Sequence, residues 1–305
     1  MGRSVERIQT ATLRIPSNIM KTSRILLTFV SALAVTSAFA WHDTGHMVVA
    51  AIAKQSLTPK ALSEAEWLLK MDADPKSDNF VTAACWADDA KTKESGPWHY
   101  INIHFRTDDK PTSNEPLKQN IVWAISKFSE VLRDKKRDPK ERAEALRYLI
   151  HFVGDIHQPL HAVARDSDEH PDGDRGGNEF KISPPERFSR QDRPPTNLHS
   201  LWDSGLGLFK SVPRPLTDDG LATINRTANA IKSRFPEISL DGVKQSDPMA
   251  WAQESADIAK RFVYKDITEG TVPSPEYMRK GEDECAKRVA YAGYRLAALL
   301  NKLLN

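Results

Sequence analysis

The chain has 305 residues, 40% of them apolar and 8% aromatic, enough to bury a substantial core in one large domain or two small ones. Its formal charge of +2 is unevenly placed: residues 1–40 hold five Lys/Arg against one Glu, which leaves 38 basic against 40 acidic residues in 41–305. A body so nearly neutral excludes a broad basic surface for duplex DNA, and any phosphate chemistry must draw on a few local cations or on metal ions.

Residues 1–40 carry the pattern of an export signal. Lys21 and Arg24 form a short basic region, Ile25 to Val35 are mostly apolar, and Ala38-Phe39-Ala40 is a small-x-small cleavage site. Met20 stands where such a signal normally begins, so residues 1–19 read as an upstream start-site extension or a longer leader. The apolar run, roughly a dozen residues, is too short to span a bilayer. The expected mature chain therefore begins at Trp41 and acts in the periplasm or outside the cell, with no stable membrane association and no obligate protein partner. Cys85 and Cys285 are the only cysteines. In an exported chain they could form one disulfide, and their separation in sequence leaves both that and two free thiols open.

Past Trp41, Met47 to Gln55 is apolar at helical spacing, and Leu57-Thr58-Pro59 opens a second helix through Leu69. Phe80 to Lys91 reads as a third helix, and Trp98 to Phe105 as a short extended segment near the surface. Glu115 to Leu132 is a strong amphipathic helix, and Pro139 to Pro159 is another. Arg165 to Asn197, rich in Asp, Arg, Pro and Gly, reads as a long loop with room for a short hairpin, and its acidic run Asp166 to Asp174 as solvated. Helix resumes at His199 to Asp203, then at Asp218 to Phe235 and Pro248 to Phe262. It ends in Pro275 to Leu304, with Val289, Ala292, Leu296, Leu299 and Leu303 on one stripe. There is no internal repeat, no parallel-sheet alternation and no Gly-rich phosphate loop. The expected class is all-α (mainly helical), in a single domain over 41–305.

Within Arg147 to His161, RYLIHFVGDIHQPLH, His151 and Asp155 are four residues apart and share one helix face. Pro159 bends or ends that helix and lets His161 swing elsewhere. His199 and Asp203 repeat the H-x-x-x-D spacing. His46 in WHDTGH, Asp88 in CWADD and His99 in WHYIN lie in similar apolar or glycine-marked settings. A lone histidine on an apolar face is usually a satisfied core residue. Two pairs that each aim a nitrogen and an oxygen at one point favour a borderline cation such as zinc.

Taken in order, Trp41 after a cleavage site, WxxxGH, WAD, WHYIN, HFVGDIHQPLH, GGN and NLHSLWD resemble the zinc-dependent single-strand nucleases and 3′-nucleotidases, the secreted type I nucleases. The resemblance runs from Trp41 to about Asp203 and returns in RVAYAGYRLAALLN. It implies a mostly helical fold, similar also to zinc phospholipase C, with three zinc ions in a cleft. Asp88, His99, His151 and Asp155 would hold the first. Asp155 would bridge to a second, held also by His46 and by the free amine and carbonyl of Trp41. His161, His199 and Asp203 would hold the third.

The implied reaction is hydrolysis of single-stranded DNA and RNA, and of 3′-nucleotides, by an activated water that leaves a 5′-phosphate, with Asp88, Lys91 and Asp155 as the catalytic set. Lys91 stands where relatives carry an Arg near the phosphoryl group, and supplies charge without the bidentate fork. Tyr100 and Asn102 stand where relatives hold the base with an aromatic and an Asp. A stacked ring accepts every base, while Asn102 changes the donor and acceptor pattern. Asn178 in GGN reads as a structural neighbour of the metals, and His42, His104, His157 and His170 are given no role. The alternatives are a secreted zinc phospholipase C and an exported zinc-binding protein without turnover.

Overall fold

A computed structural model of the protein describes residues 1–2, 41–72, 74, 76–108, 110–112 and 114–305. The expected export signal and cleavage site fall in 3–40, outside the described residues. From Trp41 to Asn305 the chain forms one unit. Among the described residues its regular structure is nine α-helices, several short 3-10 turns and one two-stranded ladder, in keeping with the expected mainly helical class. No helix among them is long and apolar enough to cross a membrane.

Helix α1 (Asp43–Lys54) buries ten consecutive residues, Thr44 to Ala53, because a helix apolar on all sides must be covered on all sides. Three helices pack on it: α9 (Pro275–Leu304), α7 (Asp218–Arg234) and α5 (Pro139–Asp155). The expected α9 stripe turns inward, with Val289, Ala292, Leu296 and Leu303 buried and Leu299 partly so. Each large aliphatic side chain buried this way contributes roughly 1.5–3 kcal/mol. Helix α2 (Pro59–Leu69) starts where expected, with the Thr58 hydroxyl accepting from the Ala61 amide at 3.1 Å.

Of the expected helices whose boundaries move, three do so for a clear local reason. The expected helix from Phe80 to Lys91 is broken into a 3-10 turn, Thr82–Cys85, and the short α3 (Trp86–Asp89). The Ala84 carbonyl that a continuous helix would use internally accepts instead from His151 Nδ1 at 2.6 Å. Helix α4 (Ile121–Arg133) starts six residues after Glu115, because the Asn120 side chain accepts from the Val122 and Trp123 amides and sets the boundary there. Helix α5 begins on Pro139 under an Asp138 cap (2.7 Å) and stops at Asp155. Pro159 drives Gln158 into extended backbone, and the turn between tightens to bonds from His157 N to Gly154 O and from Gln158 N to Asp155 O.

The segment expected to be extended near the surface is largely buried, Trp98, His99 and Ile101 included. Gly96–His99 is a 3-10 turn. Only β1 (Ile103–Phe105) is strand, paired in parallel with β2 (Val163–Arg165) in the register Ile103 to Val163, a ladder that sequence alternation did not suggest. The long loop is irregular as expected, apart from a 3-10 turn at Glu186–Phe188 and one antiparallel bridge between Lys181 and Asn197. Its acidic run is not simply solvated. Asp174 is buried and accepts from the Arg165 and Gly177 amides and the Tyr264 hydroxyl. Asp166 is buried against His104 (2.6 Å) and the Thr112 hydroxyl.

Helix α6 (Leu198–Asp203) follows a capping box at Asn197, and α8 (Pro248–Ile258) runs on into a π-turn at Ala259–Val263. His157 is fully buried, facing α8 and α9 rather than solvent. Its Nδ1 donates to Val153 O at 2.7 Å, and its Nε2 accepts from Arg295 at 3.0 Å. Arg295 is paired with both oxygens of Glu254, at 2.7 and 2.9 Å. Cys85 and Cys285 are both buried free thiols, so no disulfide joins the ends of the unit.

Candidate metal centre

The ligand-type side chains reach the site from several elements, two of which supply a pair each. His46 stands on α1, Asp88 on α3, His99 at the end of a 3-10 turn, His151 and Asp155 on the last turns of α5, His161 just beyond, and His199 with Asp203 on α6. All these histidines, with Asp155 and Asp203, are buried, and the Asp88 side chain is nearly so. Such a concentration of imidazole and carboxylate away from water is costly unless something answers it.

Asp155 is the hub. Its Oδ2 lies 3.0 Å from His99 Nδ1 and 3.1 Å from His151 Nε2, and its Oδ1 lies 3.3 Å from His46 Nε2. Asp88 closes the same volume, with Oδ1 3.6 Å from His99 Nδ1 and Oδ2 3.7 Å from His151 Nε2. The His46 and His151 rings stack at 3.9 Å. The ligand atoms fall into three overlapping or adjacent groups: His46, Asp88 and His151; His99, His151 and Asp155; and His161, His199 and Asp203. In the last, Asp203 stands 3.4 Å from His199 Nε2 and 4.0 Å from His161 Nε2.

In three of the five rings a backbone carbonyl decides which nitrogen is free. His151 Nδ1 donates to Ala84 O, His161 Nδ1 to His99 O at 2.8 Å, and His199 Nδ1 to Gly176 O at 2.7 Å. A carbonyl only accepts, so the proton sits on Nδ1 and the Nε2 lone pair faces the cluster, the arrangement a metal ligand needs. The donors fit a set of divalent cations. His46 Nε2, Asp155 Oδ1, His161 Nε2 and His199 Nε2 are buried with no hydrogen-bond partner, which in a native interior calls for a ligand. The mix of imidazole and carboxylate suits zinc.

The electrostatics agree. Burial pushes His99 down to about 4 against the pull of Asp155, and burial with the neighbouring His161 pushes His199 down to about 3, so both are neutral donors near pH 7. Burial alone would also lower His151, but Asp155 and Asp88 raise it to about 9. A proton on His151 and a cation between the same oxygens answer the same negative charge, so one replaces the other. Burial would raise Asp155, yet His151 and the hydrogen bonds around it hold it well below the usual carboxylate range.

Trp41 is completely buried and anchored beside this hub. Its indole donates to Gly154 O at 3.0 Å, its ring meets Phe209 edge to face at 5.7 Å, and the next residue, His42, donates its amide to Asp203 O at 3.0 Å. Gly154 is required by close approach: a Cβ there would fall 2.9 Å from His46 Nδ1. Lys91 lies at the edge, Nζ 3.4 Å from Asp88 Oδ1. Tyr100 and Asn102 are half-buried on the chain between His99 and β1, where the Ile101 amide donates to His161 O at 2.8 Å. Asn178 reaches the site indirectly, its carboxamide donating to Arg175 O at 2.9 Å in the loop that offers Gly176 O to His199.

Sequence reasoning missed Gln158, whose amide donates to Asp203 Oδ1 at 2.7 Å while its Oε1 accepts from the Leu160 amide at 2.6 Å. It stood inside the quoted motif, and a polar amide wedged between His157 and Pro159 was the available signal. The carbonyls of Ala84, His99 and Gly176 had none, since every residue has one.

The family model for S1/P1 nuclease matches residues 41–305. Similar proteins include Endonuclease 3 of Arabidopsis thaliana, 29% identical with 89% of this chain and 91% of that protein covered. Nuclease S1 of Aspergillus oryzae is 27% identical, covering 88% and 93%, and Nuclease P1 of Penicillium citrinum is 26% identical, covering 86% and 97%. A match over the whole described body, on a helical frame that gathers these histidines and aspartates, makes the chain a member of the S1/P1 nuclease family.

Proposed function

We propose that the chain is an exported zinc-dependent phosphodiesterase that cuts single-stranded DNA and RNA to 5′-mononucleotides and also releases phosphate from 3′-nucleotides. The observation that supports this most is the gathering of His and Asp side chains into three adjoining groups, with His46 Nε2, Asp155 Oδ1, His161 Nε2 and His199 Nε2 buried and without hydrogen-bond partners. Asp88, His99, His151 and Asp155 would hold a first zinc. His46, Asp155 and the amine and carbonyl of Trp41 would hold a second, and His161, His199 and Asp203 a third. When bound, zinc supplies Lewis-acid charge and brings the pKa of water down toward neutrality.

The protein's own contribution is placement. The carbonyl-bonded Nδ1 atoms lock the ring orientations, and Phe152, edge-on to His99 at 5.0 Å, helps keep bulk water from that wall. Lys91 brings a positive charge beside Asp88 for the phosphate, and Tyr100 offers a half-buried ring on which any base can stack. The Asn102 amide, donor and acceptor both, would meet the base edge without the charge of an Asp. An unpaired base enters such a cleft more readily than one held in a duplex, which favours single strands. A free amine at Trp41 requires removal of residues 1–40, so processing would be a condition of full metal loading.

Metal analysis of the mature protein, paired with assays on single-stranded DNA, single-stranded RNA and a phosphatidylcholine emulsion, tests this reading. About three zincs per chain and 5′-phosphate products are expected. Turnover of lipid alone, or zinc binding with no phosphoester hydrolysis, would reject it.

A further inference from the structure

Arg175 is exposed and, among the described residues, its guanidinium has no hydrogen-bond or ion-pair partner. Its backbone sits at φ 56°, a left-handed conformation that a side chain rarely adopts and glycine adopts freely. The strain is held by ties at its own carbonyl and the next. The Asn178 carboxamide donates to the Arg175 carbonyl, and the next carbonyl, Gly176 O, accepts from His199 Nδ1. Gly176 itself presses so close to Leu160 O that a Cβ there would fall at 2.3 Å. The base of the Arg175 side chain is thus fixed to the group formed by His161, His199 and Asp203. Tyr100 lies near enough to feel the Arg175 charge, which offsets part of the rise that burial gives its phenol.

An unpaired guanidinium on a rigid, strained support tied to the His199 ligand group is a binding element rather than a stabilising one. The body carries a net negative charge, so Arg175 is not part of a general basic surface. Resting on the nuclease reading above, we propose that Arg175 binds a phosphodiester of the nucleic-acid chain adjacent to the scissile one. The planar fork suits two oxygens of that phosphate. Arg175 would thereby favour chains with a flanking phosphate over substrates whose only phosphate is the one cut.

Steady-state kinetics of the zinc-loaded enzyme on three small substrates test this: a dinucleoside monophosphate, and the same molecule with an added 5′- or 3′-terminal phosphate. Arg175→Gly removes the guanidinium and relieves the backbone, so thermal stability is retained. Expected is a drop of about tenfold in kcat/KM on one of the phosphate-bearing substrates, carried by KM, with the dinucleoside monophosphate unchanged. The salt dependence of log kcat/KM on the affected substrate should flatten by about 0.7, and Arg175→Lys should keep most of that slope. Equal loss on all three substrates, a loss in kcat alone, or no loss on either phosphate-bearing substrate overturns the inference. A wild-type enzyme that cleaves none of the three overturns the nuclease reading and this inference with it. A wild type that cleaves all three, matched by Arg175→Gly, overturns the role of Arg175 alone.

Discussion

His161 Nδ1 donates to the backbone carbonyl of His99 at 2.8 Å, so a ligand-type side chain of one group is oriented by the main chain of a ligand-type residue in another. The parallel pairing of β1 and β2 continues this contact, through bonds from Ile101 N to His161 O and from Ile103 N to Ala162 O. The groups are therefore not independent: a shift in the His99 segment moves the donor atom of His161 as well.

Asp155 contacts three imidazoles from one buried carboxylate. Asp155→Asn keeps the volume but removes the charge and one acceptor oxygen. Activity on single-stranded DNA is expected to fall by at least ~10³-fold, about 4 kcal/mol of transition-state stabilisation, with bound zinc reduced. Parallel kinetics and metal analysis check this, and near-normal turnover would refute the assignment of Asp155 as a shared ligand.

Gln158 orients Asp203 without being in a position to bind a metal with the same atoms. Gln158→Ala should weaken zinc at the His161, His199 and Asp203 group by roughly 10–100-fold while sparing the other two. Competition with a chelator should then release one equivalent of zinc early. Uniform weakening of all zinc would instead point to damage of the whole cleft.

A chain that retains one residue before Trp41 carries a peptide bond where the proposal needs an amine. It should bind about one zinc fewer and lose most activity, since an amide nitrogen is not a donor of comparable basicity. Full metal content and activity in such a protein would remove the amine from the ligand set.

His157 is held neutral, well below its usual pKa, by burial and by the charges of Arg288 and Arg295. The unfolded chain takes up a proton there near pH 6.5 and the folded one does not. Its contribution to stability is thus fully present above that pH and is lost as pH falls below it, by up to about 1.4 kcal/mol per pH unit. Denaturant unfolding of the metal-free protein between pH 7 and 5 should show this slope. His157→Gln keeps an acceptor for Arg295 and should flatten the slope by one proton; an unchanged slope would exclude His157 as its source.

Much of the site was legible before any fold was known, because some of it is local. The H-x-x-x-D pairs His151/Asp155 and His199/Asp203 declare themselves through helical periodicity, which fixes the direction of residues four apart. Helical class and the inward stripe of α9 follow from the same periodicity. The remaining ligand-type positions were reached through ordered motifs, not through spacing, and a motif carries identity without distance.

What the tertiary structure alone decided lies in contacts between segments far apart in the chain. The end of the expected third helix depends on His151 taking the Ala84 carbonyl from 67 residues away. The burial of His157 depends on Arg295, 138 residues on. The two thiols remain apart although an exported chain could have joined them. Tautomers, the role of Gln158 and the strained seat of Arg175 likewise require knowing which carbonyl faces which ring. Periodicity tells a residue which side to face; only the packed fold says what stands opposite, and the chemistry of this site is set by what stands opposite.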